Sequence, residues 1–278
     1  SPLTWNYGEF EYPHDNGRTP ILDSANQMPG MTKNIMLDYD QLNGGSYNGW
    51  SDTLSPSGFV AAMNAGASLV TPASHGWISG NGINQYYGNG SDPNNATVDS
   101  YSSFLFWSDS QTLTNGYRLP LMYTSACDAA NFTTVWAPYI GSNVDRTQEQ
   151  LLKNMNGGAI GFIGATNGDF WHNEYGNWWL EVNFWKTFFN NSFRPGESLY
   201  KSKVAYDAFL KSDGKNLDLP RIRQNKACYI LLGDPEVPIW TNTPGTLTVD
   251  YPASLYTIPQ KVNVTVKEKP PLDTHPEI

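Results

Sequence analysis

A mostly parallel sheet covered by helices on both faces is the fold class this sequence predicts, and three observations carry the prediction. Apolar runs at 67–72, 119–124, 159–164 and 227–232 are short and continuous, as strands buried on both faces are. Helical patterns stand between them, which is the order expected of crossover connections. Aromatic residues make up 14% of the chain and charged residues 15%, the profile of a chain that folds around a sizeable core rather than a disordered one.

The elements follow in order. Residues 1–20 read as irregular, with Pro13, Gly17 and Pro20 as breakers, so the chain is expected to open in the middle of a fold. A short strand is predicted at 34–38, then a Gly/Ser/Asn loop at 43–52. The clearest helix comes next. Ser55 is its N-cap, Pro56 fits the first turn, Phe59 to Met63 supply an apolar stripe, and Gly66 stands just past its end. The strand at 67–72 runs into Ala73-Ser74-His75-Gly76, and 79–100 reads as a long loop. The strand at 119–124 ends at Ser125-Ala126-Cys127. A helix at 146–154, capped by Asp145 and stopped by Gly157-Gly158, leads to the strand at 159–164. Helices at 177–189 and 198–210 precede the strand at 227–232, which ends in Gly233-Asp234-Pro235. From Pro244 the texture turns β-like at 247–249 and 262–266, with a Pro-rich tail. Two domains are therefore expected, 1–243 and 244–278, the second a linker and the beginning of a β-module.

Composition excludes several functions. Lys and Arg number 17 against 26 Asp and Glu, a formal net charge of −9, which argues against a nucleic-acid partner needing a basic face. The apolar runs are too short to span a bilayer, so no membrane span is expected. No signal peptide opens the sequence, so an exported protein would be present in mature form. Two cysteines rule out a disulfide scaffold or a Cys-rich zinc module. Asn-rich, Lys-poor composition and five N-x-Ser/Thr acceptors (Asn89, Asn95, Asn131, Asn190 and Asn263) suit a secreted or cell-surface glycoprotein.

Chemistry is sought at the carboxyl ends of the strands, where open α/β sheets bind ligands. His75 follows one strand and Cys127 follows the next. A thiol becomes a nucleophile when an imidazole takes its proton. Gly76 has no Cβ, so its N–H could join that of Cys127 in holding an oxyanion. The competing readings are plain ones: a strand-end Cys is often a small buried hydrophobe, and a lone His a structural residue. Cys228, inside an apolar run, reads as core, and a Cys127–Cys228 disulfide would abolish the nucleophile. His172 reads as surface or as a substrate contact. Asp38, Asp40, Asn43 and Gly44 loosely match an oxygen-ligand loop for a structural calcium, though its downstream bidentate acid is missing. No cofactor is required by the chemistry.

At these residues the chain resembles the gingipain family of cysteine peptidases, within the caspase, legumain, clostripain and separase group. Four blocks carry the resemblance in order: 54–76 with its His-Gly turn, 119–132 with Ser125-Ala126-Cys127-Asp128-Ala129-Ala130-Asn131-Phe132, 158–171 ending in Phe170-Trp171, and Leu232-Gly233-Asp234-Pro235 with Ile239-Trp240-Thr241. The match spans roughly 20–243. It implies a caspase-like three-layer fold, Cys127 as nucleophile, His75 as general base and acid, and Gly76 with Cys127 as oxyanion hole. It further implies Trp171 as a wall of the substrate pocket, Asp15 as its acid, and Glu9 or Glu11 as the acid orienting the histidine. Known members cut after Arg or Lys. Ser74 stands where the family usually has Gly. The family's first, non-catalytic half is not in this sequence, so a second chain or a missing N-terminal half is an expected partner. The residues after Pro244 fall where gingipains begin an immunoglobulin-like domain.

The expected function is an exported cysteine endopeptidase acting on protein or peptide substrates. Its rivals are a catalytically retired peptidase-like module of a cell surface or extracellular assembly, and a carbohydrate-binding domain suggested by the Trp, Tyr and Asn content.

Overall fold

The computed structural model describes residues 3–7, 24, 26–37, 52–53, 55–77, 80–86, 98–132, 146–170, 177–190, 193–241, 246–250, 252, 254 and 261–269. Two units divide the chain, Ser1–Ile239 and Trp240–Ile278.

The first unit is built on a seven-stranded sheet. Its strands are β1 (Leu3–Tyr7), β2 (Lys33–Leu37), β3 (Asp52–Thr53), β4 (Leu69–Ala73), β8 (Leu121–Tyr123), β9 (Gly161–Ala165) and β10 (Tyr229–Gly233), in the order β10-β9-β8-β4-β1-β2-β3. All neighbours pair parallel except β10, which runs antiparallel to β9. A second sheet of β5 (His75–Trp77), β6 (Gly80–Tyr86) and β7 (Val98–Phe106) is antiparallel.

The central strands bury both faces, and the side-chain period of 2 shows it directly. Leu69, Leu121, Tyr123 and Ile163 enter one core, while their neighbours Val70, Met122 and Phe162 enter another. The first core is closed by α4 (Asn177–Asn190), α5 (Pro195–Ser212) and α6 (Pro220–Cys228), through Leu180, Phe184, Trp185, Phe188, Tyr206 and Ile222. The second is closed by α1 (Pro56–Ala65) and α3 (Thr147–Lys153), through Phe59, Met63 and Leu151. A short helix, α2 (Trp107–Gln111), follows β7, whose Phe104 meets Phe59 edge-on at 5.3 Å.

Local chemistry explains these boundaries. Ser55 accepts the Gly58 N–H at 3.1 Å, Pro56 opens α1, and Gly66 ends it at φ +93°, as the sequence predicts. Gly158, at φ +104°, lies so close to the Leu151 carbonyl that a Cβ would collide with it.

Three expectations are corrected. Residues 3–7 form the centrally placed strand β1 rather than an irregular start, and Leu-Thr-Trp-Asn-Tyr does alternate apolar with polar. The loop expected over 79–100 contains β6 and the start of β7. The Gly- and Asn-rich sequence of β6 and the Ser-rich first half of β7 hide a pairing carried by backbone hydrogen bonds. The strand expected at 227–232 begins at Tyr229, because Ala227 and Cys228 end α6, a helix the sequence reading passed over.

In the second unit, β11 (Thr246–Asp250) and β12 (Thr265–Lys269) form an antiparallel pair. Among the described residues no helix is long and apolar enough to cross a membrane.

Candidate active site

The carboxyl ends of β4 and β8 meet at one edge of the main sheet. Ala73 bridges Ser125 in parallel, the Ser74 N–H donates to the Ser125 carbonyl at 3.0 Å, and the Ser125 N–H donates to the Pro72 carbonyl at 2.9 Å. His75 and Cys127 each lie two residues past this bridge. A Cβ on Gly76 would fall 2.6 Å from the Ala126 Cβ and would collide with the Cys127 carbonyl oxygen. The backbone after His75 therefore packs directly on the backbone of Cys127, and only glycine permits that approach. The His75 side chain itself lies outside the described residues.

Cys127 sits in a tight turn. Asp128 adopts φ +54°, its N–H donates to the Asn167 carbonyl, and the Ala130 N–H donates to the Ala165 carbonyl at 2.8 Å. Positive φ is uncommon for a residue with a side chain, though Asp tolerates it better than most. Asn131 Nδ2 donates to Asp128 Oδ1 at 2.9 Å. Asn131 is also buried, so this acceptor cannot carry a glycan in this fold.

The half-buried Cys127 thiol faces the loop after β9. Its Sγ donates to Asp169 Oδ1 at 3.1 Å, and the Asp169 N–H approaches the sulfur at 3.4 Å. Burial pushes the thiol up to about 12, and the Asp169 carboxylate adds to the rise. The buried Tyr229 hydroxyl donates to Asp169 Oδ2 at 2.6 Å, so both carboxylate oxygens are engaged.

Helix α6 holds this loop. Asn225, fully buried, accepts the Phe170 N–H at 2.8 Å and donates to the Phe170 carbonyl at 2.9 Å. Gln224 Nε2 donates to the Gly168 carbonyl at 2.7 Å, and the Arg221 guanidinium stands 5.0 Å from the Phe170 ring centroid. The backbone through Gly168 and Phe170 is thus held by side chains of α6. Trp171 itself lies outside the described residues, as do Glu9, Glu11, Asp15, His172 and the calcium-like loop of Asp38, Asp40, Asn43 and Gly44.

Beneath the strand ends lies Glu181 of α4, 1% exposed. Thr71 Oγ1 donates to its Oε1 at 2.6 Å, and Ser125 Oγ to its Oε2 at 2.5 Å. Ser24 and Trp185 also turn polar atoms toward it and oppose the rise in its pKa. Burial lifts this carboxyl to about 7, against the pull of its donors. Glu181 therefore ties the strand that precedes His75 to the strand that precedes Cys127.

Asp169, Glu181 and Asn225 were not singled out from sequence. Glu181 had a readable signal, an acid three and four residues before Phe184 and Trp185 on the apolar face of α4. Asp169 and Asn225 had none, since a loop Asp and a helical Asn are ordinary surface residues. The two cysteines are both free, so the disulfide alternative does not occur, and Cys228 is buried as expected.

Comparison with known proteins decides the lineage. The profile of Peptidase family C25 matches residues 17–240. The chain belongs to peptidase family C25. No curated protein sequence matches it significantly. Among solved structures, the complex of Porphyromonas gingivalis RgpB pro- and mature domains superposes with a TM-score of 0.60 at 19% identity, covering 95% of this chain and 54% of that one. The Arg-specific cysteine proteinase gingipain R (RgpB) gives 0.61 at 19% identity, covering 95% and 53%. This C25 chain thus spans about half the length of the structures it matches. A likeness at this identity establishes the fold, and the caspase-like three-layer architecture expected from the sequence is the one present.

Proposed function

We propose that this C25 chain is the catalytic part of an exported cysteine endopeptidase, with Cys127 as nucleophile and His75 as general base and acid. One observation carries the reading: the Gly76 backbone packs against Ala126 and Cys127 at the carboxyl edge of β4 and β8. In the reaction the imidazole takes the thiol proton, and the sulfur attacks the scissile carbonyl carbon. The oxyanion is received by the N–H groups of Gly76 and Cys127. The imidazolium returns the proton to the leaving amine, leaving a thioester. Water, deprotonated by the same imidazole, then releases the acid and restores the thiol.

A preference for a basic residue before the scissile bond is proposed from the gingipain likeness, with Asp15 as pocket acid, Trp171 as pocket wall and Glu9 or Glu11 orienting His75. Export is supported by the N-x-Ser/Thr acceptors other than Asn131, with cell surface or extracellular space as destination. A second polypeptide is proposed as partner on the model of the RgpB pro- and mature domain complex. The division at 243/244 and a structural calcium at 38–44 are proposed from sequence alone.

One observation favours the second reading, a catalytically retired module. The thiol is pushed up to about 12 beside a carboxylate, which suppresses its nucleophilic form. Hydrolysis of fluorogenic peptides ending in Arg, Lys or an uncharged residue separates the two. The endopeptidase reading expects turnover that Cys127→Ala and His75→Ala each reduce by about a thousandfold or more. Turnover unaffected by Cys127→Ala, or absent from the native chain, would leave the retired module.

A further inference from the structure

Three polar side chains interrupt the apolar core directly beneath the strand ends. β4 and β8 turn Leu69, Ala73, Leu121 and Tyr123 into the core closed by α4. The side-chain period of 2 places Thr71 and Ser125 on that same face, where apolar residues are expected. Instead two hydroxyls enter the core, Thr71 at 0% and Ser125 at 1% exposure, and Glu181 meets them from a helix whose neighbouring Leu180, Phe184 and Trp185 are buried. Burying a carboxyl is costly, and a well-packed apolar trio would be about as stable. Stability alone does not account for the three.

The backbone supplies a reason. A parallel ladder bonds through alternate residues of a strand. The Leu121 N–H donates to the Ser68 carbonyl at 3.0 Å, the Ser125 N–H to the Pro72 carbonyl at 2.9 Å, and the Ser74 N–H to the Ser125 carbonyl at 3.0 Å. Pro72 stands in this bonding row with no N–H to give, so the ladder lacks a rung as it nears the site. Regular pairing of β4 with β8 covers Leu69 and Val70, and beyond it only the single bridge of Ala73 with Ser125 joins them. Glu181 spans that gap. Its Oε1 accepts from Thr71 on one strand at 2.6 Å, and its Oε2 from Ser125 on the other at 2.5 Å.

We propose that Glu181 is a positioning residue of the candidate active site, its carboxyl replacing the rung that Pro72 removes and so holding 73–76 against 125–127. The proposal rests on Cys127 being the nucleophile. The contact it protects is that of Gly76 with Ala126 and Cys127. That spacing must hold if the N–H groups of Gly76 and Cys127 are to converge on one oxyanion. Glu181 acts on the reaction only through the two strands.

The test pairs amide exchange with turnover of fluorogenic peptides by the intact chain. Glu181→Leu fills much of the volume and removes both acceptors. Glu181→Gln keeps an acceptor for one hydroxyl and offers a donor to the other. In Glu181→Leu the Ser74 and Ser125 amides should lose protection by about tenfold or more, while the Leu121 amide of the same strand pair keeps its own. Turnover should fall about tenfold to a hundredfold in kcat with KM within about threefold, the pattern of lost alignment rather than lost binding. Glu181→Gln should bring both readouts back to within about threefold of native. Thr71→Val cuts one arm from the far strand and stands in if Glu181→Leu folds poorly, with losses of the same pattern of about threefold to tenfold. Unmoved Ser74 and Ser125 amides, an equal loss at Leu121, a loss confined to KM, or a Gln variant no better than the Leu variant overturns the proposal. A native chain that cuts nothing sinks the endopeptidase reading, and amide exchange then decides the positioning by itself. Activity whose kcat ignores Glu181 sinks this proposal and leaves that reading standing.

Discussion

Two buried side chains fasten opposite edges of the main sheet, and they do so with different chemistry. At the amino ends of β8 and β9, Asn115 donates to the carbonyls of Arg118 and Gly158 and accepts the Gly158 N–H at 2.7 Å. At the carboxyl ends of β4 and β8, Glu181 accepts from Thr71 and Ser125. The amide is neutral and has donors as well as an acceptor, so it can satisfy a turn at any pH. The carboxyl has only acceptors when ionised, and burial has lifted it to about 7. The amino edge is fixed by a tie that does not titrate, and the edge that carries the candidate nucleophile is fixed by a titratable one.

The largest effect expected from breaking this contrast is at the amide. Asn115→Ala strips partners from two carbonyls and one N–H, and should cost about 3–4 kcal/mol in urea unfolding, equally at pH 5 and pH 7.5. A cost that changes between those two values would mean the amino edge is not pH-independent.

Glu181→Gln should act instead on pH dependence. Because the folded-state value is raised from 4.5 to about 7, the stability linked to Glu181 is fully present below about 4.5. It is lost as pH rises through about 7, a change on the order of 3 kcal/mol. The Gln variant should flatten that slope, read as Tm against pH between 4.5 and 8. A native protein whose Tm does not fall over that window relative to the variant contradicts the titratable tie.

The next effect sharpens the contrast within the carboxyl edge. Asn225→Ala removes two hydrogen bonds to the Phe170 backbone and one with Tyr206, and should cost about 2 kcal/mol. Amide exchange at Phe170 should accelerate by an order of magnitude or more while exchange in β4 and β8 keeps its native protection. The smallest effect belongs to Arg221, whose cation lies over the Phe170 ring. Arg221→Ala should cost no more than about 0.5–1 kcal/mol by chemical denaturation, and a larger loss would show that α6 relies on it more than a surface cation–π contact allows.

Legibility followed local signal strength. The helix at Pro56–Ala65 was readable to the residue, because Ser55, Pro56 and Gly66 each act on the backbone within one turn. Strands β4, β8 and β9 were readable because continuous apolar runs mark burial on both faces. Strands β6 and β7 were not, since Gly80, Asn81, Gly82 and Ser102 and Ser103 pair through main-chain groups that every sequence possesses. Helix α6 was missed because Arg221, Arg223, Gln224 and Lys226 surround only a few buried side chains, leaving little apolar periodicity.

The sequence alone determined that buried strands alternate with helices and that His75-Gly76 and Cys127 follow two of those strands, because strand burial and turn chemistry are written locally. Only the tertiary structure decided which groups surround the sulfur. Asp169 comes from another strand's loop, Tyr229 from the antiparallel edge strand, Asn225 from a helix with weak periodicity, and Glu181 from a helix packed under both strand ends. Their proximity is created by packing across distant segments. The proton state of a thiol depends on charge and burial within a few ångströms, whatever the separation along the chain.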